Sequence, residues 1–564
     1  MIRSLITVAL CATIVQAFSA DYSMHQAAYK ESVSRAEGAT PETPESWVTS
    51  AQEDLASKLR TQTKVGVAKN VIMFLGDGWG VPSITLARIL KGQEVDHVPF
   101  GEEGQLHVDT FPFTGMSRTF CVDAQVADSA CSATAYLGGV KANTGTIGVT
   151  SNVNRMNCTA QNDKTNHVSS ILAWAQAAGK STGIVTTTRI THASPSGTYA
   201  HIANRDWESD FDITDTTNGE VDPETCDDIA EQLILSDPGK NINVIMGGGR
   251  RKFLPDTVTD TENYPGQRKD GKNLKDMWIE SKGEAGKYIE NKAQLAEIDA
   301  NNVDYLLGLF SHTDIGYLDE QEANQDPSLE AMTEKAIQIL SKNEKGFFLF
   351  VEGGRIDHGH HGNQALRAIW EAVEFDKAIK KGDDLTDDDD TLIVVTADHS
   401  HAFSFAGYAN RGSKITKFAG TGSDELPYTS LSYANGPGAK NGTAEHRYDI
   451  STDPIEEVTY EQVPLVPLDS ETHGGEDVMI FAKGPFAHLL TGVHLQSYIP
   501  HVMAYASCVG SGAVYDGCNT IPSSTVSSTQ SNTDTTTPDP NGANNNNPVM
   551  ILLMTIIILP FFYR

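Results

Sequence analysis

Apolar side chains in this chain gather in short unbroken runs instead of alternating with polar ones. Such runs, rich in Val and Ile, occur at 70–78 (NVIMFLGDG), 181–192 (STGIVTTTRITH), 243–249 (NVIMGGG), 347–354 (FFLFVEGG), 391–401 (TLIVVTADHSH) and 478–484 (VMIFAKG), each closing on Gly, Asp or His. A run that is apolar at nearly every position predicts a strand buried on both faces. Between the runs lie helical patterns, among them HVSSILAWAQAAGK, CDDIAEQLIL, PSLEAMTEKAIQILSKN and NQALRAIWEAVEFDKAIKK. Strands alternating with amphipathic helices predict an α/β fold: a large central, mostly parallel sheet flanked by helices, with short right-handed crossovers. Segment 409–470 breaks the rhythm. It is rich in Gly, Pro, Ser and Tyr with no long helical pattern, and it reads as a small insertion over the sheet. The run Asp387 to Asp390 reads as a solvated turn before a strand.

Composition narrows this picture. With 564 residues, 39 % hydrophobic and 21 % charged, the chain can bury a sizeable core. A formal charge of -32 excludes a phosphate backbone as a specific partner, so nucleic acid is set aside. A local pocket is exempt from that argument if metals sit in it.

Both ends read as processing signals. Residues 1–19 combine Arg3, an apolar run from Leu5 to Val15 and small residues at the end, the layout of a secretory signal peptide. Residues 521–548 form a Ser/Thr/Asn-rich linker, and 549–564 an apolar terminus shorter than the ~20 residues of a spanning helix. Small residues, a polar spacer and an apolar tail form the layout of a glycosylphosphatidylinositol (GPI) signal that is removed, with Asn541 as one candidate attachment site. The expected location is therefore the outer face of the plasma membrane. Without the signal peptide six cysteines remain, Cys121, Cys131, Cys158, Cys226, Cys508 and Cys518, an even number suited to disulfides in an oxidising compartment. Cys508 and Cys518 enclose a short loop and are the safest pair. Asn157 and Asn441 head glycosylation sequons.

Ligands of open α/β sheets bind beyond the carboxyl ends of the strands. Asp77, His192, Glu352, Asp357, Asp398 and His399 all follow apolar runs at that end, so they converge although far apart in sequence. Asp357 and His361, four apart, share a helix face and suit chelation. Mixed His and Asp ligands favour zinc, whereas Asp, Glu and a hydroxyl favour magnesium. In QVADSACSATAYLGGVKAN, Ser129 heads a helical pattern. A serine there is often only a cap, but beside a cationic cluster the helix dipole and the metals both favour its alkoxide.

The stretches FLGDGWG, DSACSATAY, THASPSGTYAHIANRDW, FVEGGRIDHGHH, TADHSHAFSFAGY and THGGEDV, in order and suitably spaced, resemble the animal-type, membrane-bound, GPI-anchored alkaline phosphatases. The likeness covers roughly 45–520, which would be the catalytic domain, with 409–470 as its crown. The resemblance implies hydrolysis of phosphate monoesters with Ser129 as nucleophile and Arg205 gripping phosphate oxygens. It implies one zinc on Asp357, His361 and His473, and a second on Asp77, Asp398, His399 and Ser129. Magnesium would lie on Asp77, Ser194 and Glu352, with His192 outside its first shell and His401 supporting the second zinc from outside. It further implies disulfides Cys158–Cys226 and Cys508–Cys518, and a homodimer that uses the helix at SWVTSAQEDLASKL, the crown and Tyr408.

Two departures qualify the transfer. A calcium ion, frequent in this family, would use Glu262, the Phe310 carbonyl and Asp326, but Ser311 stands where a glutamate is expected, which weakens a hard-cation site. Cys121 and Cys131 flank the nucleophile and either bridge or stay as buried thiols. A sulfatase is disfavoured because Ser129 lacks the C/S-x-P-x-R surroundings of that nucleophile, and a phosphodiesterase because its nucleophile is usually threonine. A non-catalytic surface protein on the same fold would be expected to have lost a ligand or the nucleophile, and none is missing.

Overall fold

A computed structural model describes residues 42–444, 446–514 and 518. The expected signal peptide (1–19), linker (521–548), apolar terminus (549–564) and Asn541 lie outside the described residues. The central element is a ten-stranded sheet. In chain order its strands are β1 (Asn70–Gly76), β2 (Phe113–Arg118), β3 (Ser181–Arg189), β4 (Val244–Gly248), β5 (Gly286–Ile289), β6 (Tyr305–Leu309), β7 (Phe347–Gly353), β8 (Thr391–Ala397), β9 (Val478–Lys483) and β10 (Gly492–Leu495). Across the sheet the order is β10-β2-β9-β8-β1-β7-β3-β4-β6-β5. Only β9 is reversed: it pairs antiparallel with β8 and β2, while every other pairing is parallel.

The unbroken apolar runs have a direct cause. Val71 and Met73 of β1 face one core with Phe348, Phe350, Leu392 and Val394, whereas Ile72 and Phe74 face another with Leu349, Val351, Ile393 and Val395. Both faces are covered, so Val71–Gly76, Phe347–Gly353 and Thr391–Ala397 are buried throughout. Helices cover both faces. In the helix α5 (Leu329–Leu340) the Ser328 side chain accepts the Ala331 N–H, and the long helix α7 (Ala365–Asp384) buries Ile369, Ala372, Phe375 and Ile379 against the second core. Other helices used below are α1 (Pro44–Arg60), α2 (Val81–Glu94), α3 (Ser129–Gly138), α4 (Ile171–Ala177) and α6 (Arg355–His361).

Register places the chemistry. Gly76 pairs with both Gly353 and Ala397, and Glu352 pairs with Thr186, so Asp77, Glu352 and Asp398 emerge at one level at the carboxyl ends of adjacent strands. Segment 409–470 holds short paired strands, Phe418–Thr421 with Pro427–Thr429 and Asn435–Gly436 with Val466–Pro467, and no helix among its described residues. Helix α1 buries none of its residues. No described helix is long and apolar enough to cross a membrane.

Candidate active site

Each functional side chain is delivered by the end of a strand or the start of a helix. Asp77 follows β1, Asp398 and His399 follow β8, Glu352 closes β7, and α6 carries Asp357 and His361. His473 arrives in a two-residue strand that pairs with His401. Between β1 and α2 the turn needs glycine: Gly78 has φ +67° and donates its N–H to Asp398 Oδ1 at 3.0 Å, while a Cβ there would lie 2.3 Å from His401 Nε2.

The hydrogen bonds assign the protons of two imidazoles. His361 Nδ1 lies 2.6 Å from the Glu471 carbonyl oxygen and His473 Nδ1 2.8 Å from that of Ala127. A carbonyl only accepts, so both Nδ1 atoms carry hydrogen, which leaves Nε2 as the ring nitrogen each can offer to a metal. Those Nε2 atoms face each other at 3.1 Å and stand 3.3 and 3.4 Å from Asp357 Oδ1. Two imidazole nitrogens and a carboxylate oxygen gathered this closely, both imidazoles steadied by carbonyls, form the donor set of a zinc site.

A second set adjoins the first. His399 Nε2 is 3.1 Å from Asp398 Oδ2, 3.5 Å from Asp77 Oδ1 and 3.2 Å from Ser129 Oγ. Both Asp77 oxygens and Asp398 Oδ2 are buried without a hydrogen-bond partner. A third set is Asp77, His192 and Glu352, whose ligand atoms lie within 4.8 Å of one another. There Glu352 Oε2 accepts from Thr186 and Thr188, leaving Glu352 Oε1 and the buried Ser194 Oγ without partners. Orphaned carboxylate oxygens at this depth are costly unless a cation completes them, so the donor chemistry fits zinc for the first two sets and magnesium for the third.

Electrostatics agree. Burial, then Asp398, Asp357 and Glu352, pushes the Asp77 carboxyl well above the usual range. Glu352 rises to about 7, chiefly by burial. Burial alone would raise Asp398 too, but His399 brings it down to about 2. Asp357, which burial also opposes, is held below the carboxylate range by His361, His401 and His473.

Ser129 is the first residue of α3, behind the N-cap Asp128, whose carboxylate accepts the N–H groups of Cys131 and Gly145, each at 3.1 Å. Arg205 Nη1 bonds Asp128 Oδ2 at 3.2 Å and its Nη2 donates to His192 Nε2 at 3.0 Å. Ser129, Arg205, His192, Asp357, His361 and His473 open on one cavity of about 390 Å³. A second cavity of about 440 Å³ is lined by Ser170, Gln176, Tyr199 and His201, all already hydrogen bonded, and offers no comparable chemistry.

The structure thus brings together Asp77, Ser129, His192, Ser194, Arg205, Glu352, Asp357, His361, Asp398, His399 and His473. His401 is tied to the first set: its Nε2 is 2.9 Å from Asp357 Oδ1 and its Nδ1 2.5 Å from Glu471 Oε2. Sequence reasoning missed Glu471 and Asp128. Their only signal was position, two residues before His473 and one before Ser129.

The residues expected to hold calcium meet less well. Phe310 O accepts from Arg250 Nη2 at 3.0 Å, Glu262 Oε2 accepts from the His312 N–H at 3.1 Å, and only Asp326 Oδ1 is buried and orphaned. With the Arg250 guanidinium supplying positive charge, this set does not fit calcium as the others fit zinc and magnesium. All six cysteines pair, as Cys121–Cys131, Cys158–Cys226 and Cys508–Cys518.

Comparison with known proteins places the site in context. The family model described as "Alkaline phosphatase" matches residues 68–509. The alkaline phosphatase of Gadus morhua is 52 % identical over 479 residues, covering 83 % of this chain and 98 % of that protein. The tissue-nonspecific alkaline phosphatase of Homo sapiens is 50 % identical, covering 83 % and 89 %, and the membrane-bound alkaline phosphatase of Bombyx mori 47 %, covering 83 % and 86 %. Among solved structures, the alkaline phosphatase of the Antarctic bacterium TAB5 matches with TM-score 0.53 at 23 % identity, covering 80 % of this chain and all of that one. That of Thermus thermophilus gives 0.56 at 20 %, covering 78 % and 92 %. At such identities the solved structures speak for the fold.

Proposed function

The chain belongs to the alkaline phosphatase family and hydrolyses phosphate monoesters, and from that premise we propose that it works through a phosphoserine on Ser129. Asp357, His361 and His473 would hold one zinc; Asp77, Asp398, His399 and Ser129 the other; Asp77, Ser194 and Glu352 a magnesium, with His192 just outside. Bound there, the ions supply the positive charge that steadies attacking and leaving oxygens of an in-line displacement.

The chain's own residues do the rest. Ser129 Oγ, at the positive end of α3, attacks phosphorus, and the alcohol departs with a proton. Arg205, oriented by Asp128, grips two phosphoryl oxygens through its planar fork and neutralises charge gathering on them. Water then enters from the side the alcohol left, phosphate departs and Ser129 regains its proton. The observation that carries this reading is the gathering of His361 Nε2 and His473 Nε2 at Asp357 Oδ1, next to a hydroxyl already 3.2 Å from His399.

The test compares p-nitrophenol release from its phosphate by wild type, Ser129→Ala and chelator-treated protein. Activity lost in both and restored by zinc with magnesium only in wild type is expected, together with a phosphoserine trapped at Ser129. Activity indifferent to both treatments would sink the mechanism.

We extend the proposal to setting. The terminal layout of the sequence and the membrane-bound Bombyx mori relative support a GPI anchor on the outer cell surface, tested by release with a phosphatidylinositol-specific phospholipase. A homodimer is supported by α1, which buries nothing and exposes Trp47, Val48, Leu55 and Leu59, and by Tyr408, 69 % exposed; sedimentation would test it. Exposed Asn157 and Asn441 suit glycosylation.

A further inference from the structure

We infer that the Cys121–Cys131 disulfide is a positioning element of the active site, holding the loop that leads through Ala127 and Asp128 into Ser129 against the first turn of α3. The inference rests on the reading of Ser129 as nucleophile. Cys131 is the third residue of α3, and its N–H donates to Asp128 Oδ1 at 3.1 Å. Cys121 Sγ packs 3.9 Å from the same oxygen. Between them, residues 122–128 form neither helix nor strand. Val122 N–H bonds the Ala142 carbonyl and Thr144 bonds Asp123, ties that lead to the segment after α3. Asp128, by contrast, is joined to α3 through its carbonyl, which accepts the Ser132 N–H at 3.2 Å and Ser132 Oγ at 2.9 Å; the disulfide adds the start of the loop to that turn. Little apolar packing assists: the cysteines are buried only among Ala124, Ala127 and Ala142, while Phe120, Val122 and Val126 are exposed.

Three active-site functions hang on this loop. Ala127 presents the carbonyl that fixes the proton of His473, Asp128 holds Arg205, and Ser129 attacks. Two free thiols cannot remain at the bonded separation of about 2 Å; they move toward ordinary non-bonded contact, more than an ångström farther apart. A shift of about 1 Å beside reacting atoms costs on the order of a hundredfold in rate. Opening the bond therefore reduces turnover and phosphate grip together.

Cys508–Cys518 is a built-in control, because both pairs span a sequence separation of 10 and constrain the unfolded chain alike. The experiment compares holoenzymes carrying Cys121→Ser with Cys131→Ser, or Cys508→Ser with Cys518→Ser, for kcat, KM, inhibition by inorganic phosphate, metal content and Tm. The first double variant is expected to lose about tenfold or more in kcat and to bind phosphate several-fold more weakly. The second should lower Tm comparably with kcat within about twofold of wild type. Wild-type kcat and phosphate inhibition in the first, or equal kcat losses in both, overturn the inference and leave the phosphoserine mechanism standing. Should the first variant not fold, folded wild type in zinc and magnesium is treated with a phosphine. The phosphine takes oxygen from water and leaves two thiols; treatment continues until alkylation mapping shows this pair open. Full activity in that state overturns the inference equally.

Discussion

Two sets of buried acids lie at the same edge of the sheet and are neutralised in different ways. Beyond β4 and β6, Arg250 reaches Asp260 at 3.1 Å and the Phe310 carbonyl at 3.0 Å, and beyond β3, Arg189 bonds Glu208 and Asp314, each at 2.9 Å. Around β1, β7 and β8, by contrast, Asp77, Glu352, Asp357 and Asp398 leave oxygens without partners, and Arg205, held first by Asp128, reaches only Asp77 and Asp357 of the four with its charge. Where the chain supplies a guanidinium, the charge is closed internally. Where it supplies only donors, an ion from outside must close it. That difference separates structural acids from functional ones better than acidity itself.

The comparison can be broken in several ways. The largest effect is expected from Ser129→Ala, which removes the proposed nucleophile beside the open set. Turnover should fall on the order of 10⁴-fold or more in a phosphomonoester assay. Next, Arg250→Met strips an arginine-closed set and should cost about 3–5 kcal/mol in denaturant unfolding, whether or not chelator is present. A sharper contrast comes from Asp77→Asn in chelated protein. Removing one of several mutually repelling carboxylates should stabilise the ion-free protein by about 1–3 kcal/mol, where a loss would show that the open set needs no ion.

The smallest effect concerns pH. Arg189 holds Glu208 and Asp314 below the usual range against the opposing effect of burial. A depressed folded value means that their contribution is complete above the unfolded values, 4.5 and 3.8, and is lost as pH falls through and below them. Between pH 6 and 3, wild type should therefore lose more of its unfolding free energy than Glu208→Gln.

Much of this was legible in the chain. Six strands, four helices and the residues at strand ends could be read because strands buried on both faces are written as unbroken apolar runs. Strands β2, β5, β6 and β10 escaped notice. FTGMSR and GVHL mix polar and apolar positions near one edge, and GKYI is four residues long at the other. The reversal of β9 had no signal, since its direction depends on its neighbours. His401 was expected beside the second set, but the short pairing with His473 turns it toward Asp357.

Residue types and their order determined the fold class and proposed the metal donors and the nucleophile, because apolar periodicity and ligand chemistry are local properties. Tertiary structure decided which acids an arginine closes, that Cys121 meets Cys131, and that Glu471 and Asp128 support the site. Those outcomes depend on distances between segments hundreds of residues apart, which register and crossover geometry set and no local pattern records.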